Sequence, residues 1–148
     1  NKLIQFYLDG GYDFCGIACG AGVAHEKNIK RFPDGFDAEI FSIEVLNEAN
    51  REATSKLCRE HVTPFIWQNK ERYSLGVLYP ENEDYSTHRW TVDNEEDFEF
   101  IKWIYKKLYP VNNLFSLHDI LALLSHYPDK QLINEHLIGR EGYDEFRK

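Results

Sequence analysis

Residues 33–57, PDGFDAEIFSIEVLNEANREATSKL, carry the signals that decide the fold class. Pro33, Asp34 and Gly35 form a turn signal, and residues 36–41 then alternate large apolar with polar side chains, which predicts a β-strand. Ser42 is a favoured helix N-cap. The apolar residues after it are spaced to form one buried helical face: Ile43, Leu46, Ala49, Ala53 and Leu57. The stretch therefore predicts a strand followed by a helix.

Before this stretch, the sequence predicts a helix, a strand and a loop. Apolar residues at 3–8 end at Gly10, which indicates the last turns of a helix. Tyr12, Phe14 and Ile17 indicate a short strand. The glycines of residues 16–22 favour a loop after it.

After this stretch, strands and helices continue to alternate. Residues 60–67 predict a short helix that kinks or starts at Pro64, and residues 73–79 and 89–92 predict strands. Asp93 and Glu96 form a capping-box pattern ahead of a helix that stops before Pro110. The apolar stripe of this helix is Phe98, Ile101, Ile104, Tyr105 and Leu108. Ser116 can cap a third helix, and residues 130–138 predict a fourth that ends at Gly139. The class is therefore α/β.

Composition limits the classes of function. The 148 residues are 43% hydrophobic and 28% charged, which is typical of one globular domain. A net charge of −8 opposes binding to a phosphate backbone, so nucleic acid is not an expected partner. The three cysteines lack a second pair at zinc-binding spacing, which favours reduced thiols and a cytoplasmic protein. No apolar run approaches the roughly 20 residues of a membrane span.

The start of the sequence indicates a fragment. The chain opens with Asn1 and contains no methionine, so we expect it to be a piece of a longer polypeptide.

Four segments of the sequence form an ordered set of motifs: FPDGFDAEIF at 32–41, REHVTPF at 59–65, RWTVDNEEDF at 89–98, and a tail around residues 119–121, 133–134 and 141–143. In this order they resemble a family of sugar cytidylyltransferases. The family contains spore coat polysaccharide biosynthesis protein F and is related to the acylneuraminate and deoxy-octulosonate cytidylyltransferases.

The resemblance implies a fold and a division of the chain. It implies part of a three-layer α/β/α nucleotide-diphospho-sugar transferase-like fold. Residues 1–110 would be the C-terminal half of the cytidylyltransferase-like domain, and residues 111–148 a C-terminal helical extension packed on it. The family's Ala-Arg-x-Gly-Ser-x-Arg loop, which grips CTP, does not occur in the sequence.

The resemblance also implies an activity. In such enzymes a sugar hydroxyl attacks the α-phosphorus of CTP, pyrophosphate leaves, and Mg²⁺ offsets the charge on the phosphate oxygens. The chain would be part of an enzyme of the bacterial cytoplasm that makes a CMP-activated sugar for surface polysaccharide or glycan. A homodimer is expected as well, because aromatic residues make up 15% of the chain.

The third segment supplies two candidate catalytic residues. Asp93 matches the family's aspartate at the end of a late strand and would be a catalytic Mg²⁺ ligand. The alternative from local sequence is that Asp93 is only a helix N-cap. Arg89 would contact a phosphate or an acid group of the sugar, and the alternative is a surface ion pair.

The first and second segments supply candidate substrate-binding residues. Asp37 and Glu39 are two apart on one predicted strand face, and the resemblance makes them candidates for binding sugar hydroxyls. The alternative is a solvated strand face. His61 would orient the substrate or a loop, although a lone histidine is usually structural. Asp34 is interpreted as a turn former.

Two other functions remain open at this point. One is a non-catalytic sugar-binding or oligomerisation module derived from the same fold, which the missing CTP-binding loop favours. The other is a related transferase that uses UTP or another nucleotide.

Overall fold

A small mixed sheet lies at the centre of the fold. The computed structural model describes residues 2–19, 22–24 and 29–139. Within these residues the sheet has three strands, β1 (Phe14–Ile17), β2 (Glu39–Phe41) and β3 (Leu75–Leu78), in the order β2-β1-β3. Strand β1 pairs antiparallel with β2 and parallel with β3. Helices alternate with these strands along the chain, so the predicted α/β class is confirmed.

Helices cover both faces of the sheet. On one face, Phe14 packs in a buried cluster with Val45 of α2 (Ile43–Glu52) and Ile66 of α4 (Pro64–Gln68). On the other side, α1 (Lys2–Gly10) contacts all three strands. The described part of the chain therefore has the three-layer arrangement that the resemblance implies.

A second buried cluster joins the C-terminal helices. It combines Trp90 with side chains of α5 (Glu95–Leu108) and α6 (Leu117–His126). Its buried members from these helices are Phe100, Ile104, Ile120 and Leu124. Two 3₁₀ turns, Pro128–Ile133 and Glu135–Leu137, follow α6. The division of the chain at residue 110 stays a prediction.

Local capping signals predicted the helix starts well. The hydroxyl of Ser42 accepts a hydrogen bond from the Val45 N–H, and Ser116 forms a capping box with Asp119. Helix α4 begins at Pro64, and α5 ends before Pro110, as predicted. Among the described residues, no helix has both the length and the apolar character needed to cross a bilayer.

Two predicted strands are wrong in part or whole. Residues 36–38 lie outside β2, because the Asp37 carboxylate turns back to accept the Gly35 N–H at 3.1 Å. Residues 89–92 form no strand; Arg89 makes a single parallel bridge with Asp34. The pairing stops there because the chain turns away at Gly35, whose φ is +87°. Likewise, residues 16 and 17 of the predicted glycine loop belong to β1.

The predicted helix over residues 43–57 is two helices. Helix α2 ends at Glu52, and Leu57 lies in α3 (Lys56–His61), which Ser55 caps. Ile43 is exposed, and the buried positions of α2 are Val45 and Ala49. The apolar spacing therefore gave a buried face that was partly wrong.

The start of α5 and the end of the chain also differ from prediction. The N-cap of α5 is Asn94, one residue later than predicted, and its buried face is Asp97, Phe100 and Ile104. Phe98 and Tyr105, predicted to be buried, are about half exposed. The predicted fourth helix consists of 3₁₀ turns. Residues 141–143 of the fourth family segment lie outside the described residues.

Candidate functional site

The side chain of Arg89 is the centre of a buried ion network. It is 1% exposed and donates hydrogen bonds to three carboxylates. Its Nε and Nη2 atoms each lie 2.9 Å from one oxygen of Asp97. Its Nη1 atom donates to Asp34 at 2.9 Å, and Nη2 also donates to Asp93 at 3.1 Å. Arg89 therefore fixes three acidic side chains at once.

Asp97 is the fully buried partner in this network. Its side chain is 0% exposed, and it accepts hydrogen bonds from Arg89, from Nδ2 of Asn134 and from the backbone N–H groups of Asp93 and Asn94. Burial opposes ionisation, but these donors outweigh it and hold the pKa of Asp97 well below its usual range. Asp97 is therefore ionised in the folded protein at neutral pH.

Asn134 attaches the C-terminal turns to the network. Its Nδ2 atom donates to the backbone oxygen of Arg89 at 3.0 Å and to Oδ1 of Asp97 at 2.9 Å. Asn134 is itself buried. Residues of the first, third and fourth family segments thus meet in one network.

Asp93 is the exposed member of the network. Its side chain is 62% exposed, and its Oδ2 atom accepts from Arg89 and from the Thr91 hydroxyl. Within the described residues Oδ1 accepts no hydrogen bond. One carboxylate oxygen is thus held while the other faces solvent, in an arrangement that can hold an ion or a phosphate-bound metal.

This arrangement fits a magnesium ligand. Mg²⁺ is usually bound by one or two carboxylates together with substrate phosphates and water. No group of three metal-binding side chains occurs among residues 2–19, 22–24 and 29–139, so a dedicated protein cage is not found there. The role of Asp93 as a Mg²⁺ ligand stays a prediction. The exposed oxygen of its carboxylate suits that role. The alternative prediction, that Asp93 is the N-cap of α5, is wrong, because Asn94 holds that position.

The structure contradicts one of the two sequence predictions for Arg89. A surface ion pair is contradicted, because the guanidinium is buried. One of its hydrogen bonds goes to Oδ2 of Asp93, and this bond orients the Asp93 carboxylate. Contact between Arg89 and a ligand stays a prediction.

Asp37 and Glu39 form a second acidic group. Asp37 accepts hydrogen bonds from the Cys19 thiol and the Gly35 N–H. Glu39, the first residue of β2, accepts one from the Thr63 hydroxyl at 3.2 Å. Asp37 lies outside the strand, so the predicted shared strand face does not form. Within the described ranges, neither carboxylate forms an ion pair, which leaves both able to accept hydrogen bonds from a ligand.

The pKa of Glu39 is raised above its ordinary value. Loss of solvent around the carboxyl group is the main cause, and the nearby charge of Asp37 adds to it. The hydrogen bond from Thr63 opposes both effects.

His61 is the last residue of α3 and lies two residues before Thr63, which contacts Glu39. Its backbone oxygen accepts the Thr63 N–H at 2.8 Å. The second family segment therefore contacts the first through Thr63 and Glu39. The role of the His61 side chain stays a prediction.

Sequence reasoning missed three residues of the site: Asp97, Asn134 and Thr63. One of them had a usable signal, since Asp97 lies three and seven residues before the buried Phe100 and Ile104, on the same helical face. Asn134 and Thr63 gave no such local signal. Asp34, interpreted as a turn former, is also an ion-pair partner of Arg89.

Gly35 allows the first family segment, residues 32–41, to pack closely against the third, residues 89–98. Replacing Gly35 with alanine is therefore expected to destabilise the protein. A Cβ atom at this position would lie 2.2 Å from the backbone nitrogen of Thr91, and the φ of +87° disfavours any side chain. We expect Gly35→Ala to lower the free energy of unfolding by more than about 1 kcal/mol, measured by urea denaturation. Gly11→Ala is the matched control: its φ is +60°, but no atom lies within 4 Å of the added Cβ. Equal losses in the two variants would contradict the steric argument.

Comparisons with known proteins identify relatives of this chain. No family model matches it. It is 29% identical over 140 residues to the uncharacterized protein MJ1063 of Methanocaldococcus jannaschii, which covers 93% of the chain and 51% of that protein. It is 28% identical over 131 residues to spore coat polysaccharide biosynthesis protein SpsF of Bacillus subtilis, covering 87% of the chain and 49% of SpsF.

A solved structure shares the fold of this chain. A cytidylyltransferase from Leptospira borgpetersenii matches with a TM-score of 0.70 and 24% identity, over 88% of this chain and 50% of that one. The chain thus spans about half the length of the relatives it matches. These findings confirm the resemblance predicted from the sequence: the chain is similar in sequence to SpsF, and it has a cytidylyltransferase-like α/β fold.

Proposed function

We propose that this chain is part of a nucleotidyltransferase that activates a sugar as its CMP derivative, using CTP, for the synthesis of surface polysaccharide or glycan. The relationship to SpsF and the cytidylyltransferase fold support this activity. The structural observation that carries it is the Asp93 carboxylate, which a buried network holds with one oxygen open to solvent. A bacterial, cytoplasmic enzyme is part of the proposal.

In this proposal, Asp93 would hold a magnesium ion, which would offset negative charge on the phosphate oxygens of CTP. Arg89 keeps the Asp93 carboxylate in one orientation through Oδ2. Because Asp97 and Asp34 fix the guanidinium in turn, little reorganisation is needed when a ligand binds.

The sugar would bind at the second acidic group. Asp37 and Glu39 would accept hydrogen bonds from sugar hydroxyls, and His61 would orient the substrate from the adjoining turn. The proposal includes a homodimer, which the exposed apolar side chains in the last turn of α5 and just after it favour; they are Tyr105, Tyr109, Val111 and Leu114.

Pyrophosphate release tests the proposed function. We expect the full-length protein that carries this chain to release pyrophosphate steadily from CTP and Mg²⁺ when a suitable sugar is present. The acceptors to compare are N-acetylneuraminate, 3-deoxy-manno-octulosonate and a panel of neutral and amino sugars, with reactions lacking sugar as the control. Faster release from UTP than from CTP would favour a different nucleotide. No release from any combination would leave the non-catalytic module as the better explanation.

A further inference from the structure

The backbone at Val62 has a strained conformation next to the proposed sugar site. Val62 has φ of 66° and ψ of −65°, and the Thr63 N–H donates to the His61 oxygen at 2.8 Å. These values define the rare γ-turn of positive φ. A β-branched residue in this region is a genuine outlier, which persists only where the surrounding structure enforces it.

The surrounding structure fixes Thr63. It is buried, and its backbone oxygen accepts the Ile66 N–H at 2.9 Å in the first turn of α4. Pro64, the next residue, is fully buried. The γ-turn before Thr63 and helix α4 after it therefore fix the position of Thr63.

The Thr63 hydroxyl does not have the usual role of a threonine at this position. Thr63 is the N-cap of α4, yet its side chain makes no capping hydrogen bond. By contrast, the hydroxyls of Ser42 and Ser55 cap α2 and α3 in the usual way. The Thr63 hydroxyl instead donates to Oε1 of Glu39, 24 residues away. Helix capping therefore does not explain this hydroxyl.

The hydrogen bond from Thr63 gives the two carboxylate oxygens of Glu39 different surroundings. Oε1 is held by Thr63, whereas Oε2 accepts no hydrogen bond from the described part of the chain. Holding one oxygen fixes the direction in which the other accepts. A sugar hydroxyl, which is a hydrogen-bond donor, is the ligand that such an oxygen suits.

We propose that Thr63 is a positioning residue for the sugar: its hydroxyl holds Oε1 of Glu39, so that Oε2 accepts a hydrogen bond from one sugar hydroxyl. The strained turn at Val62 places Thr63 for this task. The inference rests on the proposed function, because it takes the ligand of Glu39 to be the sugar acceptor.

Kinetics of two matched variants test this role. Thr63→Val keeps the shape of the side chain and removes the hydroxyl, whereas Thr63→Ser keeps the hydroxyl. In the full-length protein we expect Thr63→Val to raise the KM for the sugar acceptor identified by pyrophosphate release by about tenfold, the size expected for one hydrogen bond to a charged group. The KM for CTP should stay unchanged, and Thr63→Ser should restore the KM for the sugar.

A second measurement does not depend on turnover. The Thr63 hydrogen bond lowers the pKa of Glu39, so its loss should move the NMR titration of the Glu39 carboxyl carbon to higher pH in Thr63→Val and not in Thr63→Ser. If Thr63→Val does not fold, Thr63→Ala is measured in the same way.

The outcomes separate the two proposals. An active wild-type protein whose sugar KM is the same in Thr63→Val overturns the positioning role and leaves the proposed function intact. A parallel rise in both KM values with a lower melting temperature indicates a structural role and also overturns it. A wild-type protein without activity on any nucleotide and sugar removes both proposals, whatever the titration shows.

Discussion

Asp97→Ala is expected to lower the free energy of unfolding by about 3–5 kcal/mol, the range for removing one partner of a buried ion pair. The variant leaves the Arg89 guanidinium buried without its two-point partner. It also removes one of the two acceptors of the Asn134 amide, which keeps its bond to the Arg89 oxygen, and the acceptor of the backbone N–H groups of Asp93 and Asn94. Because a typical domain is stable by only about 5–15 kcal/mol, this loss is a large share of the total. Urea denaturation of the variant and wild type measures it.

Asp119→Ala is the matched control. Asp119 has the same position in the capping box of α6 that Asp97 has in α5, but it is exposed and accepts hydrogen bonds from Ser116 alone among the described residues. We expect a much smaller loss for this variant. If the two variants lose the same stability, the helix cap explains the effect of Asp97, and the buried network does not.

The contribution of Asp97 to the free energy of unfolding should depend on pH in a defined direction. The pKa of Asp97 is lower in the folded protein than in the unfolded chain, where it is about 3.9. Its stabilisation is therefore fully present above that value and is lost as the pH falls through the folded pKa. The difference in stability between wild type and Asp97→Ala should be constant near pH 7 and should narrow below about pH 4.

Local signals predicted those parts of the fold that depend on local contacts. Ser42, Pro64 and Ser116 mark helix starts because a cap or a fixed φ acts within one turn of the chain. Residues 89–92 were predicted as a strand because their side chains suit one. A strand also needs a partner, and the bend at Gly35 removes the partner after one bridge.

The start of α5 shows why the site was harder to predict than the fold. Two capping patterns overlap there, Asp93 with Glu96 and Asn94 with Asp97, and local sequence is compatible with both. The structure has the second pattern, in which Asp97 also contacts Arg89 and Asn134. Asn134 is 37 residues from Asp97 in the sequence. Such distant contacts cannot be read from a single sequence, so the resemblance made Asp93 and Arg89 candidates but did not indicate the residues that contact them.

Asp93→Asn separates the chemical role of this residue from its structural one. The asparagine keeps the shape of the side chain and removes the charge that a magnesium ion requires. We expect turnover in the full-length protein to fall by about 10²- to 10³-fold, because a bound metal supplies several kcal/mol of charge stabilisation in the transition state. The melting temperature should change little, since the side chain is 62% exposed and Arg89 keeps its bonds to Asp97 and Asp34.

Asp129→Asn provides the comparison for the loss of one surface charge. Asp129 is 70% exposed and lies 3.9 Å from Lys130, so its replacement removes the same charge without touching the network. Turnover is measured by pyrophosphate release at several Mg²⁺ concentrations. A metal role predicts that Asp93→Asn alone needs more Mg²⁺ for half-maximal turnover, because a ligand of the ion has been weakened. Undiminished turnover in Asp93→Asn would rule out the metal role, and Asp93 would then be an exposed partner of Arg89 without a part in the reaction.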